Sequence, residues 1–300
     1  MEEEVTAMSG VREVVVGYDG SDFSMRALEW ATDEAELGGV PLKVIHTWRW
    51  PYGEADEAAR LHLRGAAGHV LYHGADCARA CSTLREVTTE LYEGSAAERL
   101  VELSERAALI VVGSRGMGTL ARTVLGSVAG HVAARAGCPV VVVRGAGPVP
   151  ASRKRGAVVL GMSGDTSDGV IEFAFREADI RRLELTAVHA GRLQPLVHDT
   201  RVAMNAAEDG MLERLGPWRV AYPGVAVRAC FAATSAKDLL EDVSREASLV
   251  VVGGARDHGR LGSTSRAVLR HGFCPVAVVP AGWRSPSRNE PVLSGVRHLR

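Results

Sequence analysis

Val14-Val15-Val16-Gly17-Tyr18-Asp19-Gly20-Ser21 is echoed in the second half of the chain by Val158-Val159-Leu160-Gly161-Met162-Ser163-Gly164-Asp165. Each phrase is an apolar run that ends in small residues, followed by an amphipathic stretch and a second apolar run. Those second runs are Leu42-Lys43-Val44-Ile45-His46 and Leu185-Thr186-Ala187-Val188-His189. Further on, Leu109-Ile110-Val111-Val112-Gly113 matches Leu249-Val250-Val251-Val252-Gly253. Cys138-Pro139-Val140-Val141-Val142-Val143 matches Cys274-Pro275-Val276-Ala277-Val278-Val279. Four landmarks in one order at nearly one spacing mark an internal duplication. The runs are short, β-branched and apolar on both faces, the pattern of strands in a parallel sheet covered by helices on both sides.

Between the runs the periodicity is helical. Leu28, Ala31 and Ala35 suit a first helix ended by Gly38-Gly39. Ser95 caps a third helix carrying Leu100, Leu103 and Ala107, with Glu98 completing a capping box. Val124, Val128, Val132 and Ala136 give a fourth, closed by Gly137. Strands alternating with helices imply right-handed crossovers. Five strands per half are expected, near residues 12–17, 41–47, 83–91, 108–113 and 139–144, then 157–162, 184–190, 225–231, 248–253 and 275–280. The expected fold class is therefore α/β, two tandem Rossmann-like domains spanning 1–147 and 156–281. Pro148, Pro150 and the basic Arg153-Lys154-Arg155 mark Gly145 to Gly156 as a linker. Pro286 and Pro291 suggest a disordered tail over 282–300.

Bulk properties agree. Three hundred residues suit about two domains, and a net charge of −1 provides no global pull toward nucleic acid or an acidic membrane. No apolar run reaches the roughly 18 residues of a membrane span, and the acidic start Met1-Glu2-Glu3-Glu4 does not read as a signal peptide. Five scattered cysteines read as reduced thiols, which points to the cytoplasm. Cys77 and Cys81 lie four apart on a helix but lack a partner pair at metal-binding spacing.

The chemistry-bearing loop follows the fourth strand: Gly113-Ser114-Arg115-Gly116-Met117-Gly118-Thr119, with Gly126-Ser127 further on. Glycines after a buried strand let the backbone approach a ligand and present amides as a phosphate nest. Gly126-Ser127 falls at the opening of the fourth helix, where free amides and a hydroxyl add donors. Ligands of open α/β sheets bind at the carboxyl ends of strands, where strand order reverses. Asp19 ends the first strand, and it could accept from a ribose hydroxyl or hold a hydrated Mg²⁺.

Gly113-x₂-Gly116-x₉-Gly126-Ser127, together with the opening Val-Gly-Tyr-Asp-Gly-Ser, Ser24 and Ala27-Leu28, resembles the universal stress protein family. The likeness covers residues 11–144 and, more weakly, 156–280, as in tandem-domain members. It implies an adenine nucleotide alpha hydrolase-like sheet of order 3-2-1-4-5 in each half. It also implies ATP, held by Gly17 and Asp19, by the chain around Thr47 at the base, by Val112, Gly113, Ser114, Arg115, Gly116 and Gly118 at ribose and phosphate, and by Gly126, Ser127 and Val128 at the outer phosphates. Mg²⁺ would reach Asp19 through Mg-ATP. The Thr47 position commonly holds an aliphatic residue in ATP-binding members. Such proteins usually bind rather than turn over ATP, so at most slow hydrolysis is expected. They pair through the fifth strand, so the halves should pair with each other and whole chains could form a homodimer.

The second half departs from this pattern. Ser163 replaces Asp19, the loop from Gly253 to Gly262-Ser263 is four residues shorter, and Arg256 stands at the second glycine's place. It is expected to be degenerate and to serve packing. Other motifs are weaker. Gly116-x-Gly118-x-x-Ala121 matches a dinucleotide fingerprint, but it follows the fourth strand rather than the first. No Gly-Lys dipeptide exists for a P-loop, and Ser163-Gly164-Asp165-Thr166-Ser167 lacks the second glycine of an adenylyl-transferase loop. His46 and His189 read as strand-end hydrogen-bonding groups, and Glu86 and Glu90 as a solvated face. Trp48, Trp50 and Tyr52 read as loop packing, and no nucleophile–base constellation stands out. Two functions follow: an ATP-binding cytoplasmic stress or dormancy regulator, or a scaffold of the same fold that binds no nucleotide.

Overall fold

The computed structural model describes residues 12–50, 53, 56–116, 125–144, 156–191, 200–254 and 259–285. The first half runs β1 (Val14–Gly17), α1 (Asp22–Gly38), β2 (Leu42–Trp48), α2 (Glu57–Ala80), β3 (Val87–Glu93), α3 (Ala96–Leu103), β4 (Leu109–Gly113), α4 (Ser127–Arg135) and β5 (Val140–Val143). The second runs β6 (Val158–Met162), α5 (Asp168–Arg181), β7 (Leu185–Ala190), α6 (Thr200–Arg214), α7 (Gly216–Ala221), β8 (Val227–Ala232), α8 (Ala236–Val243), β9 (Leu249–Gly253), α9 (Ser263–His271) and β10 (Val276–Val279). All ten strands match expected runs. The short α7, opened by Pro217 in its first turn, was not expected.

Sequence chemistry explains the ends of these elements. Ser21 caps α1 by accepting from the Ser24 amide, and Gly39 closes it in the left-handed region at φ 62°. Ser95 caps α3 through the Glu98 amide, and Ser235 does the same for α8 through Asp238. α4 starts only at Ser127, because Gly126 is its N-cap; Val124, assigned to this helix, lies outside the described residues.

The strands form one ten-stranded sheet of order β3-β2-β1-β4-β5-β10-β9-β6-β7-β8. Each half alone reads 3-2-1-4-5 and is parallel throughout. The halves join where β5 meets β10 antiparallel, Val141 opposite Ala277. That seam is wholly apolar: Val140 to Val143 and Val276 to Val279 are at most 5% exposed. Burial on both faces fits β-branched runs with no polar alternation.

The helices lie on both faces. Gly113 faces the first turn of α1, whereas Gly17 faces Leu100 of α3. The linker assigned to 145–155 lies outside the described residues. The tail requires a correction. Trp283 is 6% exposed and meets Phe173 of α5 edge-on with ring centroids 5.8 Å apart, so the packed body extends past residue 281. A single indole supplies enough apolar area to hold that segment down, which proline counting does not register.

Candidate functional site

β1 and β4 are hydrogen-bonded neighbours, Gly17 opposite Val112, with β2 and β5 on their outer sides. The chain leaves β1 and β4 toward helices on opposite faces, the reversal at which open α/β sheets leave a crevice along their carboxyl edge. Asp19 stands at its rim, half-buried. Its Oδ1 accepts from the Ser21 amide at 3.0 Å and from Ser21 Oγ at 2.5 Å. Its Oδ2 lies over Gly116, where a Cβ would stand only 2.6 Å away. Among the described residues nothing donates to Oδ2. A carboxylate with one oxygen fixed and the other open is oriented for a ligand hydroxyl or a hydrated cation.

The glycines have more than one reason to be there. Gly113 does not open toward a ligand: a Cβ there would meet the Phe23 carbonyl at 2.7 Å. It is glycine because α1 comes down onto the strand end. Gly17 likewise faces Leu100, at 3.2 Å, and Val112 is buried in the same floor. Gly116 is the position where the chain passes the Asp19 carboxylate. Ser114 is 2% exposed. Its amide donates to Val143 and its carbonyl accepts from Gly126 at 2.9 Å. It therefore ties the ends of β4, β5 and α4 together, and its side chain, expected at the phosphates, is buried instead.

At the far side of the crevice α4 begins without a side-chain cap. The amides of Ser127 and Val128 and the exposed Ser127 hydroxyl are left at the positive end of a helix dipole. Arg115 passes close by: its Cα is 3.3 Å from where a Gly126 Cβ would lie, and its guanidinium sits over the Phe23 ring at 5.0 Å. Thr47 is on β2, half-buried, just past His46. Gly118 lies outside the described residues. The structure thus brings together Gly17, Asp19, Val112, Gly113, Ser114, Arg115, Gly116, Gly126 and Ser127.

Two residues of this crevice escaped the sequence reading. Phe23 supports Arg115, and Arg144, directly after β5, is half-buried with its Nη1 buried and without a hydrogen-bond partner among the described residues. Burial, and secondly the charge of Arg115, lower the Arg144 guanidinium to about 10. The signal was present in the sequence as charge pattern: from Arg106 through Gly164 there is no Asp or Glu.

His46 and His189 take the structural role expected of them. The first bonds the Tyr18 carbonyl at 2.8 Å, the second the Met162 carbonyl at 2.9 Å. This pairing also aligns the halves, setting Tyr18 against Met162 and Asp19 against Ser163. Glu90, expected on a solvated face, is instead 22% exposed and pairs with Arg99 of α3 at 2.6 Å, because that helix packs over this end of β3. Trp48 is buried, and Tyr52 lies outside the described residues. No cluster of three or more His, Cys, Asp or Glu side chains that could hold a metal occurs among the described residues.

The second half keeps an open crevice of about 1170 Å³ at the matching place, bordered by Ser163, Ser263 and Thr264 and by Arg135 and Gly137 of the first half. Its β6–α5 loop is braced by Arg214, which donates to the carbonyls of Ser163 at 3.1 Å and Gly164 at 3.3 Å and also to that of Thr166. α9, like α4, starts at an uncapped glycine, Gly262. Degeneracy of the motif has therefore not filled the space.

In each half, a parallel sheet with helices on both faces and a strand order that reverses, between β1 and β4 in the first and between β6 and β9 in the second, is the build of a doubly wound α/β protein. A sequence model described as the universal stress protein family matches residues 10–144 and 155–280. Universal stress protein Rv2005c of Mycobacterium tuberculosis is 34% identical over 291 residues, covering 88% of this chain and 96% of its own. Rv2624c of the same organism is 31% identical over 274 residues, covering 90% and 96%. A crystal structure of a universal stress protein from Archaeoglobus fulgidus superposes with a TM-score of 0.69 at 20% identity, over 90% of this chain and 98% of that one. The chain belongs to the universal stress protein family, as a member with two repeats.

Proposed function

We propose that this protein binds ATP in its first half and acts as a cytoplasmic regulator, in stress or dormancy, whose partner choice or assembly responds to the bound nucleotide. The observation that carries the reading is the approach of Gly116 to the open oxygen of Asp19, opposite the uncapped start of α4. Asp19 Oδ2 would accept from the ribose or hold Mg²⁺ through water. The amides of Gly116, Ser127 and Val128, with Arg115, would take the phosphates, and Thr47 and Gly17 would border the base and ribose. Gly118 belongs to the same loop. Among the described residues of the crevice no side chain resembles a general base aimed at a phosphate, and binding rather than turnover is the behaviour we propose. The halves already pair within one chain, and dimerisation of whole chains belongs to the same proposal.

Gly116→Glu tests the reading. The new carboxylate would share the Asp19 space and repel phosphate, while the sheet below stays intact. Wild-type protein should release ATP on denaturation, detectable by mass spectrometry, and bind added ATP by calorimetry. The variant should do neither while unfolding at a similar temperature. An empty wild-type protein that also fails to titrate with ATP would favour the scaffold reading, which the continuous apolar β5–β10 seam already suits.

A further inference from the structure

We propose that Arg144 sets how many phosphates the first-half site accepts, forming with Arg115 a two-arginine seat for the outer phosphates of a nucleoside triphosphate. This rests on the nucleotide reading above and adds selectivity to it. Geometry places the pair. The Ser114 amide donates to the Val143 carbonyl, which fixes the ends of β4 and β5 side by side. The residues that follow them, Arg115 and Arg144, are therefore neighbours. The Arg115 backbone passes the start of α4, its Cα 3.3 Å from where a Gly126 Cβ would lie, and its guanidinium rests over the Phe23 ring of α1, so the pair stands at the strand ends beside that helix N-terminus.

Arg144 is costly where it stands. It is half-buried, one nitrogen is enclosed without a hydrogen-bond partner, and no carboxylate pairs with it among the described residues. Burial and Arg115 both disfavour its charge. An incoming polyanion would partner the enclosed nitrogen and supply the opposite charge that offsets both burial and Arg115, and guanidinium groups match phosphate oxygens bidentately. The neighbouring stretch of sequence, from Arg106 through Gly164, carries no acidic residue but contains Arg115, Arg122, Arg135, Arg144 and the Arg153-Lys154-Arg155 run, in a chain whose net charge is −1. The device is confined to the first half. There, Arg144 follows the strand whose carbonyl accepts from Ser114; in the second half Gly254 donates to Val279, and the next residue is Pro280.

Calorimetric titration of the full chain with ATP and with AMP tests the proposal, in wild type, Arg144→Gln and Arg144→Lys. Wild type should prefer ATP by about ten-fold or more. Arg144→Gln should lose about ten-fold in ATP affinity and leave AMP affinity unchanged, with Arg144→Lys in between. A thermal melt of each variant checks folding, and Arg144→Gln should melt no lower than wild type because it removes an uncompensated charge. Equal loss for ATP and AMP, or no loss for either, overturns the role of Arg144 while leaving nucleotide binding in place. Failure of wild type to bind either nucleotide overturns the underlying reading as well.

Discussion

Cys138 and Cys274 sit at equivalent entries to β5 and β10, 1% and 0% exposed, and each thiol points to the carbonyl of the proline after it. Burial pushes the Cys138 thiol up to about 12, so it stays protonated at neutral pH and is a poor nucleophile. Cys81 and Cys230 are exposed and Cys77 is half-buried. A thiol-titrating disulfide reagent at about pH 8 should therefore modify Cys77, Cys81 and Cys230 in the folded protein. Cys138 and Cys274 should follow only when denaturant is added. Rapid labelling of Cys138 in native buffer would contradict the packing at the β5 entry.

At the scale of elements, one hydroxyl links helix and site. Ser21 Oγ accepts from the Ser24 amide at 3.2 Å to cap α1 and donates to Asp19 Oδ1 at 2.5 Å. Its counterpart Ser167 opens α5, but its Oγ is buried with no hydrogen-bond partner among the described residues. Ser21→Ala should cost about 1 kcal/mol in urea unfolding, the usual worth of a cap, and should also weaken ATP binding by releasing Asp19. Ser167→Ala should be close to neutral. If both substitutions cost the same, the caps are equivalent and the distinction drawn from their hydrogen bonds is mistaken.

At the scale of the molecule, the halves also meet through helices. Glu34 of α1 and Glu177 of α5 each lie five residues before a left-handed C-cap, Gly39 and Arg182, so the pseudo-dyad brings two acids together. Arg181, standing where the first half has Gly38, resolves the conflict. It pairs with Glu34 and with Glu177, the latter at 2.6 Å, and covers the Trp30 ring at 5.1 Å. All three charged side chains are at most 6% exposed. Arg181→Met should leave Glu34 buried without its cation and Glu177 with Arg176 alone, at 3.0 Å, and cost about 3–5 kcal/mol in thermal or denaturant unfolding. The Glu177 carboxyl is raised, by burial first and by Glu34 second. A carboxylate raised in the fold favours the native state at pH below its ordinary value, and that contribution is lost as pH rises through the raised value. Glu177→Gln should therefore match wild type in acid and gain relative to it toward neutral pH. A constant difference across that range would show that Glu177 does not titrate as its surroundings require.

Much of this is legible in the sequence. The duplicated apolar runs state the strands, because a residue buried on both faces must be apolar at every position. The caps at Ser95 and Gly39 are legible because capping is a contact between near neighbours. That Asp19 and Gly116 approach each other, with Gly126 and Ser127 at the start of α4, follows from their places at the ends of β1 and β4, which the duplicated runs already mark. What tertiary structure alone decided involves residues distant in sequence. That Gly113 is small for the sake of Phe23 and Ser114 is buried as a tie depends on which segments the fold brings together. So does the placing of Arg144 beside Arg115, the insertion of Arg181 between two acids of different halves, and the anchoring of the tail by Trp283. Local composition carries propensity and patterning, but close approach and charge compensation arise only once the sheet has set the distances between its helices.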